Sequence, residues 1–267
     1  MLTFMTYNIK NAAAGRLDAV LAVINAQRPD VLAMQELGQL HRRPHRLLAT
    51  VEAATGMRGH LARSLFGQAV AVLVRPPGMI TSTSRVRRPM HHAAALVVVN
   101  TPAGPLTVIS THLHATATSR RFREARRLVG NRPHGLTVLM GDLNTLDPDT
   151  DHHASLAALP ARYRRRHLTH GRVDTRAVQT LTGAGLVDLC HLAGTRLQES
   201  VPTELGGPEF PAARLDYILA TASLAGLTRE VHVVRDGRTD TASDHYPIIA
   251  RLELEFASPA SQPEPTH

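Results

Sequence analysis

LTVLMGDLN, residues 136–144, begins as an unbroken apolar run and ends in a glycine, an acid and an amide. A strand with one wet face would alternate apolar and polar residues, so a run of this kind predicts a strand covered on both faces. The same construction recurs on either side. Leu106 to Ser110 (LTVIS) runs into His112, and Ala94 to Val99 (AALVVV) reaches it through TPAGP, residues 101–105, a hairpin turn punctuated by Pro and Gly. Ala69 to Val74 (AVAVLV), Leu215 to Leu219 (LDYIL), Val231 to Val234 (VHVV) and Ile248 to Leu254 (IIARLEL) are further strands by the same criterion. At the N-terminal end, residues 2–9 (LTFMTYNI) predict a strand. Residues 16–27 predict a helix with Leu17, Val20, Leu21 and Ile24 on one face, stopped by Pro29, and Asp30 to Gln35 predicts a buried strand that delivers Glu36. Helices are expected at Ser119 to Val129 and Thr175 to Gly183. Buried strands interleaved with helices predict an α/β protein, layered or a β-sandwich flanked by helices. The Pro- and Ser-rich ASPASQPEPTH, residues 257–267, is expected to be a disordered tail, leaving one domain over residues 1–256.

Composition narrows the classes. With 267 residues and 43% hydrophobic content a large core is available, but aromatics are 3% with no Trp, so Ala, Val, Leu and Ile must fill it. A formal net charge of +8 suggests a polyanionic partner. Against this stands the one-sidedness of the basic residues: of 30, only Lys10 is lysine, a bias that base composition of a genome produces equally well. Cys190 is the single cysteine, so no intramolecular disulfide forms. The opening MLTFMTYNIK lacks the layout of a secretory signal, no stretch reaches the ~20 apolar residues of a membrane span, and a cytoplasmic location is expected.

Polar residues recur at the downstream ends of the apolar runs: Asn8 after TFMTY, Glu36 after VLAMQ, His112 after LTVIST, Asp142 and Asn144 after LTVLMG. Strand ends carry side chains on a rigid rim, where catalytic groups can be positioned closely. The strings TYNI (6–9), QE (35–36), THLH (111–114), GDLN (141–144), LDYIL (215–219) and SDH (243–245) together resemble the ordered motif series of the endonuclease/exonuclease/phosphatase superfamily over residues 2–255. The resemblance implies a four-layer α/β sandwich, two mixed β-sheets face to face with helices outside. It also implies a Mg²⁺- or Mn²⁺-dependent phosphodiesterase, with nucleic acid as the expected substrate. By the same resemblance Asn8, Glu36 and Asp244 form the metal site, Asp142 orients or deprotonates water, Asn144 and His245 donate to the phosphate, Asp216 positions His245, and His112 is an acid or phosphate contact. Glu36 offers the hard oxygen that Mg²⁺ favours, and four converging carboxylates would repel one another without a cation among them.

The resemblance has one departure. Some nuclease members carry a glutamate paired to the histidine matched by His112, near the strand that here begins at Gln68, and an amide cannot act as an anionic partner. His114 and the pairs His91–His92 and His152–His153 read as residues without a ligand role, the pairs as solvated loop residues. Arginine runs at 42–46, 85–88 and 120–127 read as solvated faces. The run of Arg162, Arg164, Arg165 and Arg166 follows GDLN near the expected site rim and is the candidate for contacting an anionic substrate. A phospholipid or small-molecule phosphoesterase is the alternative enzyme. An inactive nucleic-acid-binding module is the alternative of another class, and an acidic cluster facing phosphate argues against it.

Overall fold

The computed structural model describes residues 1–39, 43–76, 79–86, 90–195 and 198–257. Two six-stranded mixed sheets form the centre. The first consists of β1 (Leu2–Asn8), β2 (Val31–Gln35), β3 (Arg58–Ala62), β4 (Val70–Val74), β13 (Thr228–Val233) and β14 (Ile248–Leu252), in the order β13-β14-β1-β2-β4-β3. Only β1 and β2 are parallel in it. The second consists of β5 (Ile80–Arg85), β6 (Ala94–Thr101), β7 (Gly104–His112), β8 (Leu136–Asp142), β11 (Leu186–Asp188) and β12 (Asp216–Thr221), in the order β11-β12-β8-β7-β6-β5, with β7 and β8 parallel. A small hairpin pairs β9 (Leu168–Thr169) with β10 (Arg172–Val173).

Three apolar layers hold these sheets. Between them lie Phe4, Val31, Val72, Val97, Val108, Val138, Met140, Ile218 and Ile248, all buried. Helices α1 (Leu17–Gln27) and α2 (Pro44–Thr55) cover the outer face of the first sheet, placing Val20, Ile24, Leu48 and Val51 against Met5, Leu32 and Leu73. Helices α3 (Thr118–Asn131) and α4 (Arg176–Gly183) cover the second, through Ala125, Leu128, Val178 and Leu181 on Leu96, Ile109 and Leu139. Each such side chain contributes about 1.5–3 kcal/mol on full burial, and aliphatic residues pack both faces without any Trp. The result is the four-layer α/β sandwich expected. α1 ends where expected, Arg28 closing it in the left-handed region before Pro29.

The differences lie at the edges. β3 and β5 each close one edge of a sheet, and α2 covers an outer face. None was legible as an element, because β5 (ITSTSR) is exposed over most of its length and β3 has two apolar residues. The tail expected at 257–267 lies, except for Ala257, outside the described residues, as do Arg42, Arg87 and Arg88. Ala257 still donates its N–H to Asn100 O at 2.9 Å.

Gly141 carries a constraint on the whole second sheet. Its φ is +148°, and a Cβ there would lie 1.9 Å from the carbonyl oxygen of Thr111, its register partner on β7. Only glycine lets β7 and β8 approach so closely. Gly141→Ala is therefore expected to destabilise the fold by at least about 1–3 kcal/mol, the range for forcing an extra methyl into a packed core. Urea or thermal unfolding measures it, and an unchanged midpoint would show that the pair can part at no cost.

Candidate active site

Register sets the first row of the site. His112 ends β7 opposite Asp142 at the end of β8, and Asp142 faces Asp216 at the start of the antiparallel β12. Three polar groups thus stand side by side on one rim. On the neighbouring sheet Asn8 ends β1 beside Gln35, so Glu36 leaves β2 at the same level. Glu36 and Asn144 have φ of +64° and +49°, which turns both abruptly out of their strands.

Asp142 is the centre. One carboxylate oxygen lies 3.3 Å from His112 Nε2, 3.8 Å from His245 Nε2 and 3.1 Å from Asn8 Nδ2, while the other accepts the Asn144 N–H at 2.8 Å. Burial disfavours its charge, but the two imidazoles and these hydrogen bonds outweigh burial and hold the carboxyl at about 2. His245 Nδ1 lies 2.8 Å from Asp216, whose same oxygen accepts from Ser200 Oγ at 2.7 Å. Burial also works against charge on His245, yet Asp216 and Asp142 prevail and raise it to about 10. His112 is raised as well: burial opposes it, Asp142 and Glu36 overcome it. Asn144 Nδ2 meets His112 Nε2 at 2.9 Å and Leu113 O at 3.0 Å. A cavity of about 110 Å³ opens on Glu36, His112, Asp142, Asn144, Arg166 and His245.

The Glu36 side is built differently. Lys10, Asn11, Ala12 and Ala13 have φ of +50°, +50°, +60° and +51°, a turn of left-handed backbone without a glycine. Such residues cost roughly 1–2 kcal/mol each, so other contacts must hold them. Glu36 does so, its carboxylate accepting the Asn11 N–H at 2.8 Å and its carbonyl the Ala12 N–H at 2.7 Å. Asn8 Nδ2 donates to Glu36 at 3.2 Å, and its Oδ1 accepts the Lys10 N–H at 3.1 Å. Gln68 also turns to this side: Nε2 donates to Glu36 and, at 3.2 Å, to Asn11. It therefore serves Glu36 rather than His112. Asp244 is paired with Lys10 Nζ at 3.1 Å and lies beside Ser243, whose hydroxyl donates to Asn8 O at 2.6 Å.

Donor chemistry here fits a divalent ion. Asp142, Asp216 and His245 present ligand atoms within 4.8 Å of one another and could hold a metal. Asp216 Oδ1 is buried with no hydrogen-bond partner among the described residues. A metal on His245 would displace a strongly held proton, so the oxygens of Glu36, Asn8 and the aspartates are the better ligands for a hard cation.

Three histidines escaped the sequence reading. His92, expected to be a solvated loop residue, is buried and stacks on His112 with ring centroids 3.9 Å apart and planes 3° from parallel. Its Nδ1 accepts the Gln68 N–H at 2.9 Å, and burial, followed by the surrounding histidines, keeps it well below the usual histidine range. His152 is buried too, with Nε2 2.8 Å from Asp147 O. His167 lines the cavity, its pKa lowered to about 3 by burial and then by Arg121 and Arg166. Only packing reveals these positions. His114 has a structural part, its Nδ1 accepting the Thr116 and Ala117 N–H groups at 3.2 Å each. Of the run after GDLN, Arg166 reaches the cavity. Arg162 stacks with it over Tyr163 at 4.6 Å, and Arg164 and Arg165 stand apart from the lining.

The sequence profile described as the endonuclease/exonuclease/phosphatase family matches residues 5–245. Solved structures are similar in fold. One is an AP endonuclease from Archaeoglobus fulgidus, with a TM-score of 0.70 and 20% identity over 95% of this chain and 100% of that one. Another is an endonuclease/exonuclease/phosphatase family protein from Leptotrichia buccalis C-1013-b, at 0.68 and 18% over 95% and 100%. A third is a 3′ phosphatase from Neisseria bound to a product DNA hairpin, at 0.68 and 16% over 95% and 100%. No curated protein matches the chain in sequence.

Two outcomes follow from this geometry. If His92 holds the His112 ring, His92→Phe keeps the flat face, whereas His92→Asn keeps only an acceptor for Gln68. Turnover of an aryl phosphodiester should fall by roughly tenfold or more in the Asn variant at little-changed KM, and by much less in the Phe variant. Equal losses in both would remove the stacking role. For His245 the pKa is raised from 6.5 to about 10, so its stabilisation is complete below 6.5 and is lost as pH rises through 10. In metal-free buffer the melting temperature should fall between those limits in the wild type and less in His245→Gln. Parallel curves would show a neutral His245 throughout.

Proposed function

Since the chain belongs to the endonuclease/exonuclease/phosphatase family, whose members are phosphoesterase hydrolases, we propose that it is a divalent-metal-dependent phosphodiesterase acting on nucleic acid. One observation carries the reading: a charged imidazole, His245, held by Asp216 at 2.8 Å, faces an ionised Asp142 at 3.8 Å across a cavity that Arg166 also lines. Such a pair offers a fixed positive donor and a fixed negative acceptor, which is what in-line attack of water on a phosphodiester needs.

Asp142, held near 2, is a weak base and acts chiefly by aligning the attacking water. His245 donates from Nε2 to a non-bridging oxygen as negative charge grows there, and Asp216 keeps its ring turned and protonated. Asn144 is the amide donor to the phosphate. His112, which lines the cavity and whose pKa Asp142 and Glu36 raise against its burial, is the candidate to protonate the leaving oxygen. Glu36 and Asn8 are the residues that would hold Mg²⁺ or Mn²⁺; Asp244, the third residue that the resemblance puts at the metal, lies on the far side, paired with Lys10. When bound, that ion supplies neutralisation of the phosphoryl charge. Arg166 contributes to capture of the anion, backed by Arg162 through Tyr163, while Arg164 and Arg165 extend the positive rim. Residues 1–256 act as one catalytic unit in this reading. No helix among the described residues is long and apolar enough to cross a membrane.

A second substrate class has one observation in its favour. Leu65 and Phe66 are 82% and 70% exposed on the loop between β3 and β4, with Arg63 and Arg85 beside them, a surface that suits a phospholipid. A single assay separates the readings: purified protein with Mg²⁺ or Mn²⁺ against supercoiled plasmid, single-stranded DNA, RNA, a lysophospholipid and a generic diester. Nucleic acid cleavage that stops on chelation is expected. Asp142→Asn and His245→Ala should each lower turnover by on the order of 10² to 10⁴-fold with the fold retained. Cleavage that survives exhaustive chelation, or full activity in either folded variant, would overturn the assignment, and hydrolysis of the lysophospholipid alone would move the substrate class.

A further inference from the structure

Lys10 is the one lysine among 30 basic residues, and it stands against the residues of the candidate metal site. Its backbone N–H donates to Asn8 Oδ1 at 3.1 Å, the next N–H in the turn donates to the Glu36 carboxylate at 2.8 Å, and its ammonium lies 3.1 Å from Asp244. One short turn therefore touches all three residues that the resemblance makes metal ligands. We propose that the Lys10 ammonium is a built-in cation for Asp244, so that the site takes a single divalent ion, on the Glu36 side, and Asp244 is not one of its ligands.

Three observations support this. Elsewhere in the chain a buried carboxylate pair is served by arginine, as Arg214 serves Asp147 and Asp188 at 2.7 and 2.6 Å. A planar guanidinium suits such a fork of two acids. A compact ammonium instead suits a place that would otherwise hold a small ion, and lysine appears at this place alone. Second, the pair is anchored from both ends. Lys10 Nζ also donates to Leu205 O at 2.9 Å, Arg16 holds the Lys10 carbonyl at 2.8 Å and reaches Ala242 O, and Ser243 ties the Asp244 loop to Asn8 O. Third, the backbone that presents Lys10 is left-handed over four non-glycine residues, an arrangement that only surrounding contacts can maintain, and those contacts are Glu36, Asn8 and Arg16. The charge balance agrees: with Asp244 met by Lys10 and Asp216 by His245, Glu36 is left without a cationic partner among the described residues' ion pairs.

The proposal rests on the metal-dependent reading above, and ion counting tests the two separately. Mn²⁺ is titrated into the metal-free full-length protein and the free ion is followed by electron paramagnetic resonance, with melting curves recorded for each variant. Wild type should take up one Mn²⁺, and Asp244→Asn should hold it with an affinity within a few-fold of wild type. Lys10→Met keeps the stem and frees Asp244, so it should take up a second ion, which Lys10→Met combined with Asp244→Asn should not. Two ions in wild type, or weakening of the first by more than about tenfold in Asp244→Asn, the scale of losing a metal-supporting group, would overturn the proposal and leave the metal-dependent reading intact. Uptake of a single ion by folded Lys10→Met would overturn it likewise. If Lys10→Met does not fold, the Asp244→Asn result decides alone. No uptake by wild type, or undiminished uptake by Glu36→Gln, would instead overturn the metal site on the Glu36 side and the proposal with it.

Discussion

Parallel pairing of β7 with β8 is the constraint from which the rest of the site follows. A slip of one residue would send Asp142 to the opposite face of the sheet, because side chains alternate with a period of two. In register, Asp142 falls between His112 and Asp216, and from there its carboxylate also meets His245 and Asn8. Glycine at position 141 permits the approach, so the letter before Asp142 in GDLN matters as much as the acid itself. Asp142 is buried, and a buried charge is costly enough that the groups around it offset its burial as well as position it.

What the sequence made legible was the set of places where rigid apolar runs end, and why: core strands of Val, Leu and Ala announce themselves by composition, and the polar residue that terminates each is conspicuous against them. Asn8, Glu36, His112, Asp142, Asn144, Asp216 and His245 were all visible in this way, through strand ends and motif order together. The edges were not. β5 has its side chains in solvent and carries no apolar alternation, so nothing marked it as a strand. The pair His91–His92 was misread for a related reason, since a loop residue's burial depends on what folds over it. Gly67 packs against this pair so closely that a Cβ there would lie 2.6 Å from His91 O and from His92 Nδ1. Neither histidine announces that contact in its own neighbourhood of sequence. Gln68 stood out in the sequence as an amide where some relatives have a glutamate, but its amide turns to Glu36, a direction that register alone does not specify.

The positive charge of the chain also takes on a different meaning once its residues are located. Arg121 is buried at the start of α3, where it donates to the carbonyls of His114, Ala115 and Arg166, and burial lowers its pKa to about 10. Arg214 lies between two aspartates and over the Tyr217 ring at 4.2 Å. Arg16 braces the left-handed turn. Part of the net charge of +8 is therefore structural, and only the remainder, such as Arg162 and Arg165, lies exposed. Net charge by itself is a blunt indicator here, because it counts these two kinds of arginine alike.

Strain and stability are divided between different parts of the molecule. The left-handed residues Lys10 to Ala13, Glu36 and Asn144 gather at the rim, each in a conformation that costs on the order of 1–3 kcal/mol. The layers beneath are made of strands buried on both faces, where a single Leu or Val already contributes a comparable amount. A thinner scaffold could not hold four consecutive unfavourable residues in place. The sandwich can, because the turn is attached at both ends to its deepest strands: Asn8 continues β1 and Glu36 continues β2, the one parallel pair of its sheet. The parallel pair of the other sheet carries His112 and Asp142 at the same end. Both flanks of the candidate site thus grow from the central strand pair of each sheet, which is why groups from two sheets can be held within hydrogen-bond distance of one carboxylate.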